Sequence, residues 1–239
     1  MTEHIVTRYD NELRELAVLI TQMGGLCEKA LTDAMTSLQR QDAELAQTVR
    51  DEDDKIDDLE REVEERAIQM IARRQPMASD LREIVAAVKI AADLERIGDL
   101  AKNIAKRVIA LQDQSQPKQI VRGLDHISEI ALHQLKDVLD AYTGRDAVKA
   151  LAVWERDSDL DAVYTSIFRE LLTYMMEDPR NITLCTHLLF AAKNIERIGD
   201  HATNIAENIH YVATGETIAM DRPKSDESSM TTVEEGSDD

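Results

Sequence analysis

Leu94-Glu95-Arg96-Ile97-Gly98-Asp99 recurs 101 positions later as Ile195-Glu196-Arg197-Ile198-Gly199-Asp200, and Asn103-Ile104-Ala105 recurs as Asn204-Ile205-Ala206. Around both copies the apolar residues step by three and four. They are Ile90, Leu94, Ile97, Ala101, Ile104, Val108 and Leu111, then Leu188, Ala191, Ile195, Ile198, Ala202, Ile205, Ile209 and Val212. Such a seam belongs to a helix packed against other helices. Glu95 and Asp99 stand four apart, so both carboxylates leave the same side of the helix beside the seam, and Asn103 continues the row. The stretch works against its own helix. Like charges at i and i+4 repel by roughly 0.2–0.5 kcal/mol, and an interior glycine costs about 1 kcal/mol relative to alanine. Both costs occur in both copies, so compensation is expected. A neighbour could approach closely at Gly98 and Gly199, and a bound cation would turn the carboxylate repulsion into attraction.

Working outward, the apolar pattern predicts a long helix from Tyr9 to Gln39, with Gly24-Gly25 marking a bend or a close helix contact. A shorter segment follows from Asp42, a candidate N-cap, to Arg50. The next helix carries Ile56, Leu59, Val63, Ala67 and Met70 and ends before Pro76, with acids crowding its first turns as the helix dipole favours. A turn at residues 74–80 leads into the motif helix, with Ser79 or Asp80 as its cap and Asp80/Glu83 at capping-box spacing. Residues 112–117 are polar and make the best domain boundary.

The second half repeats this plan: a helix from Ile120 to Tyr142, a turn at 143–146, a short segment with Trp154, a helix from Asp157 to Met176, a break at Asp178-Pro179, and the second motif helix ending near Thr214-Gly215. Asp42-Ala43 matches Asp146-Ala147 at an offset of 104, and Asp53 and Asp57 match Asp157 and Asp161 at the same offset. The sequence therefore predicts an all-α protein of two tandem, internally duplicated three-helix bundles, residues 1–114 and 115–215, followed by an acidic, disordered tail over 216–239.

Composition agrees with an all-helical chain. Aromatics make up only 3% of the 239 residues, with 8 Gly and 4 Pro. The formal net charge of −19 argues against nucleic acid or an anionic membrane as a partner. Residues 215–239 carry −6 of it, leaving −13 on the rest. Cys27 and Cys185 stand alone on helical patterns, which fits a reducing compartment. No apolar run approaches the ~18 residues of a membrane span, and the N-terminal residues show no secretory pattern. A soluble, cytoplasmic protein is expected.

Each half contributes two acidic pairs at i, i+4: Asp53/Asp57 and Glu95/Asp99, then Asp157/Asp161 and Glu196/Asp200. In every pair one acid directly follows a seam residue, so the pairs of adjacent helices should meet side by side. Four such carboxylates form a hard-oxygen site suited to Mg, Mn, Ca or iron. In a chain with 47 acids a single such spacing is usually just solvated surface; four equivalent placements favour metal binding. Arg96 and Arg197 could neutralise the acids instead, although immediate neighbours point about 100° apart on an ideal helix. His201 has Leu100 opposite it in the other half. Glu207-x-x-His210 has only Lys106-x-x-Ile109 as its counterpart, whereas a ferritin-like di-iron site wants two Glu-x-x-His pairs. His210 is therefore read as a surface residue and Trp154 as packing. No phosphate loop, nucleophile elbow or Cys/His zinc pattern is present.

The duplicated halves, the paired E-R-I-G-D motifs and their D-x-x-x-D partners resemble the PhoU family of phosphate-specific transport accessory proteins. Arg73-Arg74-Gln75-Pro76, Ser79-Asp80-Leu81-Arg82 and Leu172-Thr173-Tyr174-Met175-Met176-Glu177-Asp178 are similar to family members as well, and the likeness covers roughly residues 8–215. The resemblance implies a cytoplasmic, non-enzymatic negative regulator of phosphate uptake and of the phosphate-starvation response. It would act as an adaptor between the ATPase subunit of a phosphate ABC transporter and a sensor histidine kinase, and as a homodimer. It also implies a metal (iron, manganese, magnesium or zinc) on Asp53, Asp57, Glu95 and Asp99 and on Asp157, Asp161, Glu196 and Asp200. Two alternatives stand beside it: a di-iron carboxylate enzyme of the ferritin-like kind, and a metal-free helical adaptor.

Overall fold

The computed structural model describes residues 2–112, 114, 117–220 and 222–223; the rest of the expected tail lies outside the described residues. Its α-helices are α1 (Thr2–Arg40), α2 (Ala43–Glu52), α3 (Asp54–Arg74), α4 (Ala78–Ala110), α5 (Lys118–Gly144), α6 (Ala147–Glu155), α7 (Asp157–Glu177) and α8 (Ile182–Thr214), with a 3-10 turn at Pro179–Asn181. Among the described residues there is no strand, and no helix is long and apolar enough to cross a membrane.

In each half the three long helices touch pairwise, α1 with α3 and α4, and α5 with α7 and α8, so each triangle closes around its seams. The short helices α2 and α6 lie across them. Asp42 caps α2 by accepting from the Leu45 amide at 2.9 Å, and Asp146 caps α6 by accepting from Val148 and Lys149 at 2.9 and 3.0 Å. The expected cap at Ser79 or Asp80 is not used. Met77 occupies the N-cap position of α4, and both polar residues fall inside the first turn, where the Ser79 hydroxyl lies 3.3 Å from Asp80.

The two halves are joined along their equivalent faces. α4 packs on α8 over the most extensive interface in the molecule, and α1 packs on α5. The buried side chains of both halves form one continuous core. Leu94, Ile97, Ile104, Ile195, Ile198 and Ile205 are fully buried in it. At roughly 1.5–3 kcal/mol for each such side chain, the seam outweighs the glycine and charge-repulsion costs of the motif.

The motif glycines are where α3 and α7 press in. A Cβ on Gly98 would lie 2.8 Å from Ile56 Cδ1, and one on Gly199 2.9 Å from Leu160 Cδ1, at matching positions of the repeat. Gly24-Gly25 does not break α1. Gly24 lies against Leu139 of α5, while Gly25 has nothing within 4 Å. Valine at Gly98 or Gly199 should therefore lower stability by about 1–3 kcal/mol through overpacking, whereas Gly25→Ala should raise it by up to about 1 kcal/mol. Urea unfolding checks this, and valine variants as stable as the parent would refute the close packing.

Candidate functional site

α3 and α7 begin with the buried acids that the sequence singled out. Asp53 and Asp157 are 4% and 3% exposed at the helix N-termini, where the dipole favours a negative group. Burial alone would drive such a carboxylate to hold its proton, so each must be met by donors or cations.

In the first half the cation is Lys102, whose Nζ lies 2.5 Å from Asp53 Oδ2 and 3.8 Å from Asp99 Oδ1. Burial pushes the Asp53 carboxyl up, Lys102 pulls it back, and Asp57 and Asp99 push it up again. Burial also raises Glu95. Arg96 opposes the rise, while Asp99, Glu60 and Asp57 add to it. The structure thus gathers Asp53, Asp57, Glu95 and Asp99, and adds Glu60 from α3. Arg96 does not point away as an ideal helix projection predicts. Its long side chain curls back, placing Nε 3.3 Å from Glu95 Oε2 and Nη1 3.4 Å from Asp99 Oδ2.

The second half holds Asp157, Asp161, Glu196 and Asp200 in the same arrangement but neutralises them differently. The position of Lys102 is taken by Thr203, whose hydroxyl donates to Asp157 Oδ1 at 2.9 Å and brings no charge. Lys193 donates to Glu196 Oε1 at 2.9 Å and stacks 4.8 Å over the Tyr164 ring, which stands where Glu60 does in the first half. The cation on Asp157 comes from beyond α8. Arg222 Nε donates to Asp157 Oδ2 at 2.7 Å and Nη2 to Asp157 Oδ1 at 2.8 Å, while Nη2 also reaches Asp200 Oδ1 at 2.7 Å. Among the described residues beyond Gly215, Ile218 packs on the core and Arg222 meets two carboxylates.

Glu196 is the most perturbed of the eight. Only 4% exposed, it is raised by burial, with Asp200 and Asp161 adding to the rise and Lys193 opposing it, to about 7. Its Oε2 is buried without a hydrogen-bond partner, as is Oε1 of the neighbouring Gln134. The donor set in both clusters is oxygen throughout and fits a hard cation. Among the described residues, no three carboxylate, imidazole or thiol groups stand close enough together to enclose an ion.

Other singled-out residues take structural roles. Cys27 is buried, donates to the Leu94 carbonyl at 3.1 Å, and its thiol is pushed far up by burial. Trp154 is buried and donates to Glu207 Oε1 at 3.0 Å, while His210 Nδ1 lies 3.2 Å from the Glu216 carbonyl, so Glu207 and His210 serve different partners. His201 does more than its Leu100 counterpart suggests. Its Nδ1 lies 2.9 Å from Asp93 Oδ1 across the α4–α8 interface, where Asn204 also donates at 3.4 Å. Lys102 was legible as an i+3 partner of Asp99; Arg222 lay past the end of any periodic signal.

The family model for the PhoU domain matches this chain twice, over residues 20–108 and 124–209, one match per half. A phosphate-specific transport system accessory protein PhoU homolog of Rhizobium meliloti is 59% identical over 223 residues, covering 93% of this chain and 94% of its own length. One from Caulobacter vibrioides is 51% identical over 226 residues, covering 95% and 98%. The crystal structure of PhoU from Pseudomonas aeruginosa superposes with a TM-score of 0.84 at 41% identity, covering 87% of this chain and all of that one. That of the phosphate transport system regulatory protein PhoU from Streptococcus pneumoniae gives 0.82 at 28% identity, covering 89% and all.

The Glu196 carboxyl keeps its proton to about pH 7 in the fold but loses it near 4.5 when unfolded. The stability it contributes is therefore whole below pH 4.5 and lost as pH rises through 7. In chelator-treated protein, Glu196→Gln should gain stability relative to the parent across that window, and parallel stability curves from pH 4.5 to 8 would contradict the assignment.

Proposed function

The chain belongs to the PhoU family, and we propose that it is an accessory protein of phosphate transport that restrains phosphate uptake and the starvation response when phosphate is plentiful. It would do so as a cytoplasmic adaptor, binding the ATPase subunit of a phosphate ABC transporter and a sensor histidine kinase through protein surfaces, and working as a homodimer. The observation that carries the reading is the pair of partly buried carboxylate clusters, repeated at equivalent positions in both halves and built on a helical frame that matches relatives named for phosphate transport over nearly their whole length. Nothing in the clusters sets a nucleophile against a base, so a binding and regulatory role suits them better than catalysis.

Metal is part of this proposal. Asp57, Glu95 and Asp99 in the first half, and Asp161, Glu196 and Asp200 in the second, would supply the oxygen ligands, with Asp53 and Asp157 released from their basic partners. A bound cation would supply positive charge between helices that otherwise repel, and would stiffen the pairing of α3 with α4 and of α7 with α8. A metal-free adaptor is the second reading, favoured by Lys102 and Arg222, which already meet Asp53 and Asp157.

Two measurements test these readings. Cells lacking the protein should express a phosphate-starvation reporter even in high phosphate, and the intact gene should silence it; a reporter that stays silent without the protein removes the regulatory assignment. Elemental analysis of protein purified without chelator should find metal that is lost when Glu95, Asp99, Glu196 and Asp200 are all replaced by amides. Metal content and signalling unchanged by those four substitutions would leave the metal-free adaptor.

A further inference from the structure

The two halves differ most at the position one turn beyond their motif glycines. Lys102 in the first half carries the positive charge for Asp53, whereas Thr203 in the second offers only a hydroxyl to Asp157. A buried Asp157 therefore needs a cation from elsewhere, and among the described residues the one that meets it is Arg222.

We propose that the second half carries a guanidinium socket, filled in cis by Arg222, and that this strap is a gate which an external cation must displace to reach the second carboxylate cluster. The socket has three acceptors besides the paired oxygens of Asp157. Arg222 meets Asp200 Oδ1, the Asp200 carbonyl at 3.2 Å and Asn204 Oδ1 at 3.2 Å, and its Nε and Nη2 grip both oxygens of Asp157 side by side. That planar, two-pronged grip is particular to arginine; a lysine ammonium can sit between two carboxylates, as Lys102 does in the first half, but has no paired N–H fork for both oxygens of one. The strap is built to deliver it. α8 ends at Gly215 in the left-handed region (φ 80), Thr214 Oγ1 accepts from the Glu216 amide at 3.1 Å, and Ile218 packs on the core beside Trp154 before the chain reaches Arg222. A second observation points to a ligand at the same place. Glu196 Oε2, in a side chain 95% buried, accepts from nothing, so the cluster retains acceptor capacity that Arg222 does not use.

The gate rests on the metal reading of the cluster; the socket does not. Trp154, the single tryptophan of the chain, lines the same small cavity as Thr217, Ile218, Met220 and Arg222 and so reports on the strap. In the full-length protein, Arg222→Ala should red-shift Trp154 emission and raise its quenching by acrylamide, and Arg222→Lys should behave like the alanine variant. Emission and quenching unchanged in Arg222→Ala would overturn the socket, and a lysine variant indistinguishable from the parent would overturn its preference for guanidinium. For the gate, Mn2+ binding is followed by loss of the free-ion EPR signal. Arg222→Ala should bind Mn2+ about tenfold more tightly than the parent at one site, the change expected from removing a competitor worth about 1.4 kcal/mol. Equal affinity in the two forms overturns the gate while the metal reading stands. Absence of binding in both overturns the metal reading and the gate together, and leaves the socket to be judged on the tryptophan result.

Discussion

A carboxylate taken out of water must find a donor or a positive charge, and the surroundings of Asp53 and Asp157 in the two halves follow from that requirement. Asp53 and Asp157 are buried because α3 and α7 start against the motif helices, and the motif glycines let Ile56 and Leu160 press close enough to hold them there. Once buried, the acids draw in what the local sequence offers. In one repeat that is a lysine a turn away on the same helix; in the other it is an arginine brought from beyond the last helix.

This shared constraint with different solutions explains where the repeats have drifted apart. The seams, the glycines and the four acidic pairs are kept, since changing any of them would disturb packing or charge in a closed triangle of helices. The neighbours that answer the acids are free to vary. Glu60 is matched by Tyr164, Lys102 by Thr203 and Leu100 by His201. The last of these turns a leucine position into a polar contact with Asp93 across the middle of the molecule. The result is a molecule whose two clusters look alike in their carboxylates and differ in where their counter-charges come from.

Much of this was legible before any coordinates. The three- and four-residue spacing of Leu94, Ile97, Ala101 and Ile104 marked the buried face, and the 101- and 104-residue offsets located every helix of the second half from the first. Asp42 and Asp146 were readable as caps because short polar side chains at that place have one strong use. What stayed hidden depended on distance through space or on side-chain reach. Arg96 bends back along its own helix to both neighbouring acids, which an idealised projection cannot show. The cap expected at Ser79 or Asp80 failed because the helix starts two or three residues earlier, with Met77 at the N-cap position. Arg222 sits in a stretch whose composition reads as solvated tail, and only the fold reveals that two acids wait within its reach.

The contacts between the halves have a consequence for how such a chain arose. Among the described residues, the inter-repeat helix pairs are α4 with α8 and α1 with α5, in each case an element against its own counterpart. That is the signature of an isologous interface, the kind two identical subunits form about a rotation axis. The monomer is in this sense a dimer made covalent. Fusion frees each copy from having to make the same contact twice, so His201 can face Asp93 on one side while Leu100 and Asn194 stand at the equivalent positions on the other.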